Sequence, residues 1–96
     1  MAISVVAKDH IVAEHKEKVI EILKEMVMLT RKENGCVSYA LHEVPDDPGM
    51  LVFVETWESK EALEAHMNSE HFTRIMPSLQ EYKTAPPDIE IFNVLI

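Results

Sequence analysis

The segment VETWESKEALEAHMNSEHF, residues 54–72, concentrates side chains suited to acid–base and aromatic chemistry. It contains the only tryptophan of the chain, Trp57, and two of its five histidines, His66 and His71. An imidazole titrates near neutral pH, so either histidine could take a proton from a phenol. The Trp57 indole could stack on a flat substrate or donate its N–H to a substrate oxygen. All three side chains could equally fill a hydrophobic core.

Helical spacing separates the two histidines. His66 follows Leu63 by three residues and Ala62 by four, which places it on the apolar stripe that faces a sheet. There it is either a general base or a buried core group. His71 can reach the same pocket only if the helix breaks near residues 68–69. We predict no metal site from this pair, because their spacing does not suit chelation on one helix and no third ligand is evident.

Four further side chains are candidates for substrate contacts. Tyr39 lies on the inward face of its strand, where its phenol either enters a pocket or packs. Glu55 shares a strand face with Phe53 and Trp57, where a carboxylate is costly unless it is paired, so we place it at a rim or in a site. Phe53 and Phe72 are expected to supply apolar contacts to a substrate.

The pattern of apolar residues predicts the elements that carry these side chains, in the order βαββαβ. This is an α+β, ferredoxin-like antiparallel sheet with two helices on one face, formed by one domain over residues 1–96. The predicted strands are 2–12, 36–44, 50–57 and 89–96, with a turn at 45–49. The first predicted helix spans 13–33. The second begins after the cap Ser59, breaks near 68–69 and is kinked or restarted at Pro77.

The strands are apolar on both faces, although two helices can cover only one. In the third strand Val52 and Val54 point one way and Leu51 and Phe53 the other. The last strand likewise sets Ile89, Ile91 and Leu95 against Phe92, Val94 and Ile96. A second copy of the sheet is the simplest cover for the other face, so we predict a homodimer with its sheets face to face.

Composition excludes several classes of partner. A formal charge of −8 opposes binding to nucleic acid or to an anionic membrane surface. With one cysteine, Cys36, no internal disulfide can form, and a cytoplasmic location is expected. No apolar run approaches the roughly 18 residues of a membrane span, and no signal peptide is predicted. The two glycines, Gly35 and Gly49, form no phosphate-binding loop, so a nucleotide cofactor is not expected.

Two motifs carry a resemblance to a known family. The segments are ENGCVSYALHE (33–43) and ETWESKEALEAHMNSEHF (55–72), followed by a last strand after a proline-containing turn. Over essentially the whole chain, the sequence resembles the small antibiotic-biosynthesis-monooxygenase domain proteins of the dimeric α+β barrel class. That family includes cofactor-free monooxygenases of phenols and quinols, haem-degrading enzymes and a cofactor-free isomerase of a phosphorylated signal molecule.

The resemblance implies a monooxygenase that acts on a small aromatic phenol or quinol and O₂ without flavin, haem or metal. His66 would be the general base, with His71 as the alternative. Trp57 would stack on the substrate or donate a hydrogen bond to it, and Tyr39 would be a second hydrogen-bond donor. The haem-degrading branch places an axial histidine where this chain has Met76, so haem degradation is not expected. Phe53 replaces an asparagine of some polyketide-tailoring members, which argues against a large polyketide.

Two other functions stay open at the level of sequence. The Phe92–Asn93 pair is similar to the isomerase branch, although a net charge of −8 with two arginines suits a phosphorylated ligand poorly. A non-catalytic dimer that binds a small molecule is the third reading, because every candidate residue also has a packing explanation.

Overall fold

The computed structural model describes residues 1–96 and contains one four-stranded antiparallel sheet with its helices on one face. The strand order is β2-β3-β1-β4, which confirms the ferredoxin-like prediction. The elements are β1 (Ile3–His10), α1 (Lys16–Thr30), β2 (Cys36–Val44), β3 (Asp47–Trp57), α2 (Lys60–Met67), α3 (Glu70–Ser78) and β4 (Asp88–Asn93), with short 3-10 turns at Ala13–His15 and Gln80–Tyr82.

Several predicted boundaries were wrong, while the order of elements was correct. The first helix begins as a 3-10 turn and ends at Thr30, so residues 31–35 form a turn that places Glu33 outside the helix. The β2–β3 connection is tighter than expected, because β3 begins at Asp47 and Asp46 adopts a positive φ of 67°. The last strand ends at Asn93, so residues 94–96 lie beyond the sheet.

The second helix divides into two, as the sequence predicted. Ser59 caps α2 by accepting a hydrogen bond from the backbone N–H of Ala62, and α2 ends at Met67. Ser69 then caps α3 by accepting from the N–H of Phe72. Pro77 lies in the last turn of α3 and does not restart the helix. The break therefore gives the residues after Ser69 a new direction.

Strand register sets two rows of inward-facing side chains across the sheet. Glu55 lies opposite both Tyr39 and Val5, and Val5 lies opposite Ile91. One step further along the strands, Phe53 lies opposite both Leu41 and Ala7, and Ala7 lies opposite Ile89. These two rows form the floor on which the helices pack.

The helices cover this floor unevenly. Val19, Leu23 and Met26 of α1 and Ile75 of α3 are buried in the core, so β1, β2 and β3 are covered. Over β4, in contrast, Ile89 is 56% exposed and Ile91 58% exposed, although both face the helical side. The space between helices and sheet is therefore open at β4.

The opposite face of the sheet carries exposed apolar side chains. Val54 of β3 and Phe92 of β4 point away from the helices and are both exposed. None of the helices is long and apolar enough to cross a lipid bilayer.

Candidate functional site

An apolar cavity of about 160 Å³ lies between the sheet floor and helices α2 and α3. An engineered apolar cavity of about 150 Å³ holds a benzene molecule, so this one has room for a single aromatic ring. A larger substrate would extend through the opening beside β4. The lining residues are Val5, Ala7, Asp9, Tyr39, Phe53, Glu55, Leu63, His66, Met67, Phe72, Met76, Pro87, Ile89 and Ile91.

The polar side chains of the cavity are acidic or neutral. Asp9 and Glu55 supply carboxyl groups from the sheet, His66 supplies an imidazole from α2, and Tyr39 supplies a phenol from β2. No lysine or arginine lines the cavity. Arg31 instead donates to the carbonyl of Tyr39, and Arg74 pairs with glutamates on the exposed helix surface.

His66 is held by a carboxylate that lies outside the cavity. Its Nδ1 lies 2.7 Å from Oε2 of Glu33, in the turn after α1. Because an ionised carboxylate only accepts hydrogen bonds, it fixes the imidazole proton on Nδ1 and leaves the lone pair on Nε2. Burial lowers the pKa of His66, and the hydrogen bond to Glu33 opposes that shift. A histidine oriented by a carboxylate in this way is the usual arrangement of a general base.

His71 reaches the same carboxylate from α3. Its Nε2 lies 2.8 Å from the same Oε2 of Glu33, and its ring centroid lies 6.1 Å from that of His66. The helix break makes this contact available, since Ser69 Oγ donates to the carbonyl of His66 and also caps α3. His71 does not line the cavity, so its predicted contact with a substrate is not supported by its position.

Trp57 lies beside the cavity rather than in its lining. Its side chain is fully buried, and its indole N–H donates to Oε1 of Glu55 over 2.9 Å. Its ring lies against His66, with centroids 4.6 Å apart and planes inclined by 33°. Because its one donor is already used by Glu55, Trp57 is placed to hold Glu55 and His66 in position.

Burial shifts the pKa of both Glu55 and Tyr39 upward, toward their neutral forms. Burial raises the pKa of Glu55, the hydrogen bond from Trp57 opposes the rise, and the charges of Asp9 and Glu33 add to it. Burial, followed by the charge of Glu55, also raises the pKa of Tyr39 well above its usual range. The Tyr39 phenol can therefore donate a hydrogen bond to an oxygen in the cavity, and the Glu55 carboxyl can do so in its protonated form.

Five of the predicted site residues line the cavity, namely His66, Tyr39, Phe53, Glu55 and Phe72. The other two, Trp57 and His71, pack behind it. Sequence reasoning missed Glu33 and Asp9. Asp9 is buried on the inward face of β1 and pairs with Lys83 over 2.7 Å. A charged residue on a buried strand face was the available signal for Asp9. Glu33 gave no such signal, because it resembles any acidic residue at a helix end.

Cys36 is not placed as a nucleophile. Burial raises the pKa of its thiol, and the nearby charges of Glu33 and Glu55 raise it further. A thiol with a raised pKa is a poor nucleophile at neutral pH.

Comparison with known proteins relates both the fold and the sequence to one family. The family model described as antibiotic biosynthesis monooxygenase matches residues 2–78. A crystal structure of an antibiotic biosynthesis monooxygenase is 32% identical, with a TM-score of 0.92 over 98% of this chain and 99% of that one. Rv0793 of Mycobacterium tuberculosis is 29% identical in the structural comparison, with a TM-score of 0.91 over 100% of this chain and 97% of that one.

A further sequence relative is the uncharacterised protein sll1783 of Synechocystis, which is 25% identical over 79 residues. Those residues are 82% of this chain but 54% of the relative, so the chain spans about half the length of that protein. The family model, in contrast, covers most of the present chain. The chain therefore belongs to the antibiotic biosynthesis monooxygenase family.

Proposed function

We propose that the protein is a cofactor-independent monooxygenase of a small phenol or quinol, with Nε2 of His66 as the general base. The observation that carries the proposal is the hydrogen-bonded pair of Glu33 and His66 at the wall of an apolar cavity the size of one aromatic ring. Such a cavity surrounds an aromatic anion with an apolar wall, while the histidine supplies the proton acceptor.

The reaction balances without an external reductant. Nε2 of His66 takes the hydroxyl proton, and the resulting electron-rich anion passes an electron to O₂ in the same cavity. Recombination forms a carbon–oxygen bond, and cleavage of the O–O bond releases the second oxygen atom as water. A hydroquinone would leave as a hydroxyquinone and a phenol as a quinone, so the substrate itself supplies the electrons.

A hydrogen-bond donor in the cavity favours this reaction. Tyr39, whose pKa is raised well above its usual range, can donate a hydrogen bond to negative charge that develops on a substrate oxygen, and Glu55 can do so when it is protonated. Both side chains lie on the sheet floor, and the Tyr39 ring centroid lies 5.4 Å from that of His66.

The charge of the cavity argues against the isomerase of a phosphorylated ligand. Its lining offers no lysine or arginine side chain, so a phosphate group would lack a cationic partner there. Phe92, from the pair that resembles the isomerase branch, points to the other face of the sheet, opposite Ser4.

Oxygen uptake tests the proposal. Chelator-treated protein without added flavin should consume O₂ with a panel of one-ring and two-ring hydroquinones, and His66→Ala should lower the rate at least about 10²-fold. His15→Ala is the matched control, since His15 is an exposed histidine of the 3-10 turn before α1. Circular dichroism verifies that each variant is folded. If folded wild-type protein binds quinols without consuming O₂, a non-catalytic binding protein replaces the proposed monooxygenase.

A further inference from the structure

Three side chains with metal-binding atoms converge behind the cavity. His66 Nδ1 and His71 Nε2 both contact Oε2 of Glu33, and all three ligand atoms lie within 4.8 Å of one another. The expectation of no metal site rested on the lack of a third ligand. The fold supplies that ligand in Glu33, from a turn more than thirty residues away in the chain.

We propose that Glu33, His66 and His71 form a binding site for one first-row divalent transition metal ion, of which Zn²⁺ is the representative. The site shares only His66 with the cavity lining, because Glu33 and His71 do not line the cavity.

The donor set selects this class of ion. Two imidazole nitrogens and one carboxylate oxygen are a common protein ligand set for Zn²⁺, which leaves a fourth position for water. Imidazole ligands also suit Cu²⁺, Ni²⁺, Co²⁺ and Fe²⁺. Mg²⁺ and Ca²⁺ prefer oxygen ligands throughout, so two histidines disfavour them.

The ligand distances must change to hold one ion. With ligands about 2.0–2.2 Å from Zn²⁺, two atoms on a tetrahedral ion lie about 3.3–3.6 Å apart. The nitrogen–oxygen distances of 2.7 and 2.8 Å must therefore widen by about 0.5–0.9 Å, and the two nitrogens, now within 4.8 Å of each other, must come to the same separation. Rotation of the Glu33 side chain can supply the widening, because Glu33 lies in a turn rather than in a helix.

One ligand of the cluster is buried and held in place, and the other two can be reached from solvent. The side chain of His66 is 2% exposed, whereas those of His71 and Glu33 are 12% and 15% exposed. His66 is fixed by the ring of Trp57, and the Ser69 cap fixes the start of the helix that carries His71. An ion can thus enter past Glu33 and His71 without crossing the cavity, and the net charge of −8 favours its approach.

Metal binding and the base function exclude each other at His66, a consequence that rests on the proposed function. A metal ion on Nδ1 takes the lone pair there, so the ring proton moves to Nε2, the nitrogen required as the base. An occupied site would consequently inhibit proton removal in the cavity.

Titration with metal alone tests the site, without any substrate. Chelator-stripped protein, freed of any polyhistidine tag, should bind one Zn²⁺ per chain by isothermal titration calorimetry. Glu33→Gln and His71→Ala should each weaken binding at least about tenfold, since even the loss of an outer-shell partner costs 10–100-fold. His15→Ala, at an exposed histidine before α1, should leave the affinity unchanged. Co²⁺ in place of Zn²⁺ should show the intense visible absorption of a four- or five-coordinate site.

Two results would overturn the proposal. One is an unchanged Zn²⁺ affinity in folded Glu33→Gln and His71→Ala proteins, and the other is a Co²⁺ spectrum equal to that of the aqueous ion. Because neither measurement uses a quinol or O₂, failure of the metal site is distinct from failure of the monooxygenase proposal.

Discussion

The chemistry of the site depends on which ring nitrogen of His66 carries the proton. Glu33 decides this by accepting from Nδ1, and Trp57 restrains the ring from one face. Burial raises the pKa of both Glu55 and Tyr39 on the floor of the cavity. In the proposed reaction, His66 would accept the proton and Tyr39 would donate a hydrogen bond, and both side chains line the same ring-sized space.

Removal of the Glu33 carboxylate tests this orientation. We expect Glu33→Gln to lower kcat for quinol oxidation about 10²-fold with little change in KM, because an amide no longer stabilises the imidazolium formed when His66 takes a proton. A phenol already ionised at the assay pH needs no base, so the difference between variant and wild type should shrink for that substrate. Glu43→Gln, at an exposed glutamate of β2, is the control. An equal loss for ionised and neutral phenols would contradict the role of Glu33.

The raised pKa of Glu55 predicts how the stability of the fold depends on pH. Its pKa is raised in the folded protein above the value in the unfolded chain, so the fold favours the protonated form. The stabilisation is fully present below the unfolded pKa and is lost as the pH rises through the folded pKa. We expect the free energy of unfolding of the wild type, measured with urea across a pH series, to decrease over this range. The same decrease should be absent from Glu55→Gln. The amide oxygen of that variant can still accept from Trp57, so a decline that persists in the variant would contradict the assignment.

At the level of elements, the break between α2 and α3 determines which side chains meet. Without it, residues five apart on a helix point in different directions, and His71 could not share a partner with His66. The extended backbone at Ser69, with φ −67° and ψ 156°, redirects the chain so that both histidines contact Glu33.

Loss of the Ser69 hydroxyl should therefore have two effects. We expect Ser69→Ala to cost about 1 kcal/mol of stability through the lost cap, and also to lower Zn²⁺ affinity by releasing His71. Ser59→Ala removes the equivalent cap of α2 and should cost a similar amount of stability. Urea denaturation and calorimetry on both variants make the comparison. An equal effect of the two substitutions on Zn²⁺ binding would contradict a positioning role for the break.

The same elements show how far sequence reasoning reached. Alternation along the strands placed Tyr39, Phe53 and Glu55 on one face, and helical spacing placed His66 toward them, because these signals are local. The contact of Glu33 with both histidines joins residues 33 and 38 positions apart and depends on the direction of the chain after Ser69. No local pattern encodes that direction. The end of α1 at Thr30, which frees Glu33 to turn inward, was likewise missed.

For the whole molecule, the two faces of the sheet differ in how far they are covered. The helices cover one face and leave a cavity open beside β4, while Val54 and Phe92 remain exposed on the other face. Burial of exposed apolar surface against an identical surface on a second copy is favourable and generates a two-fold interface. We infer that this face forms a homodimer, which gives the uncovered apolar side chains a dry environment.

A charge introduced on this face should separate the dimer. We expect size-exclusion chromatography with light scattering to give twice the chain mass of 11.0 kDa for the wild type and a single chain mass for Val54→Glu. The reason is that a two-fold interface brings each introduced carboxylate near its symmetry mate in a desolvated contact, where an unpaired charge is costly. Met28→Glu is the matched control, because Met28 is an exposed apolar residue of α1, away from the sheet. Circular dichroism establishes that both variants fold. A monomeric wild type would refute the proposed interface, and a Val54→Glu protein that stays dimeric would place the interface on another surface of the molecule.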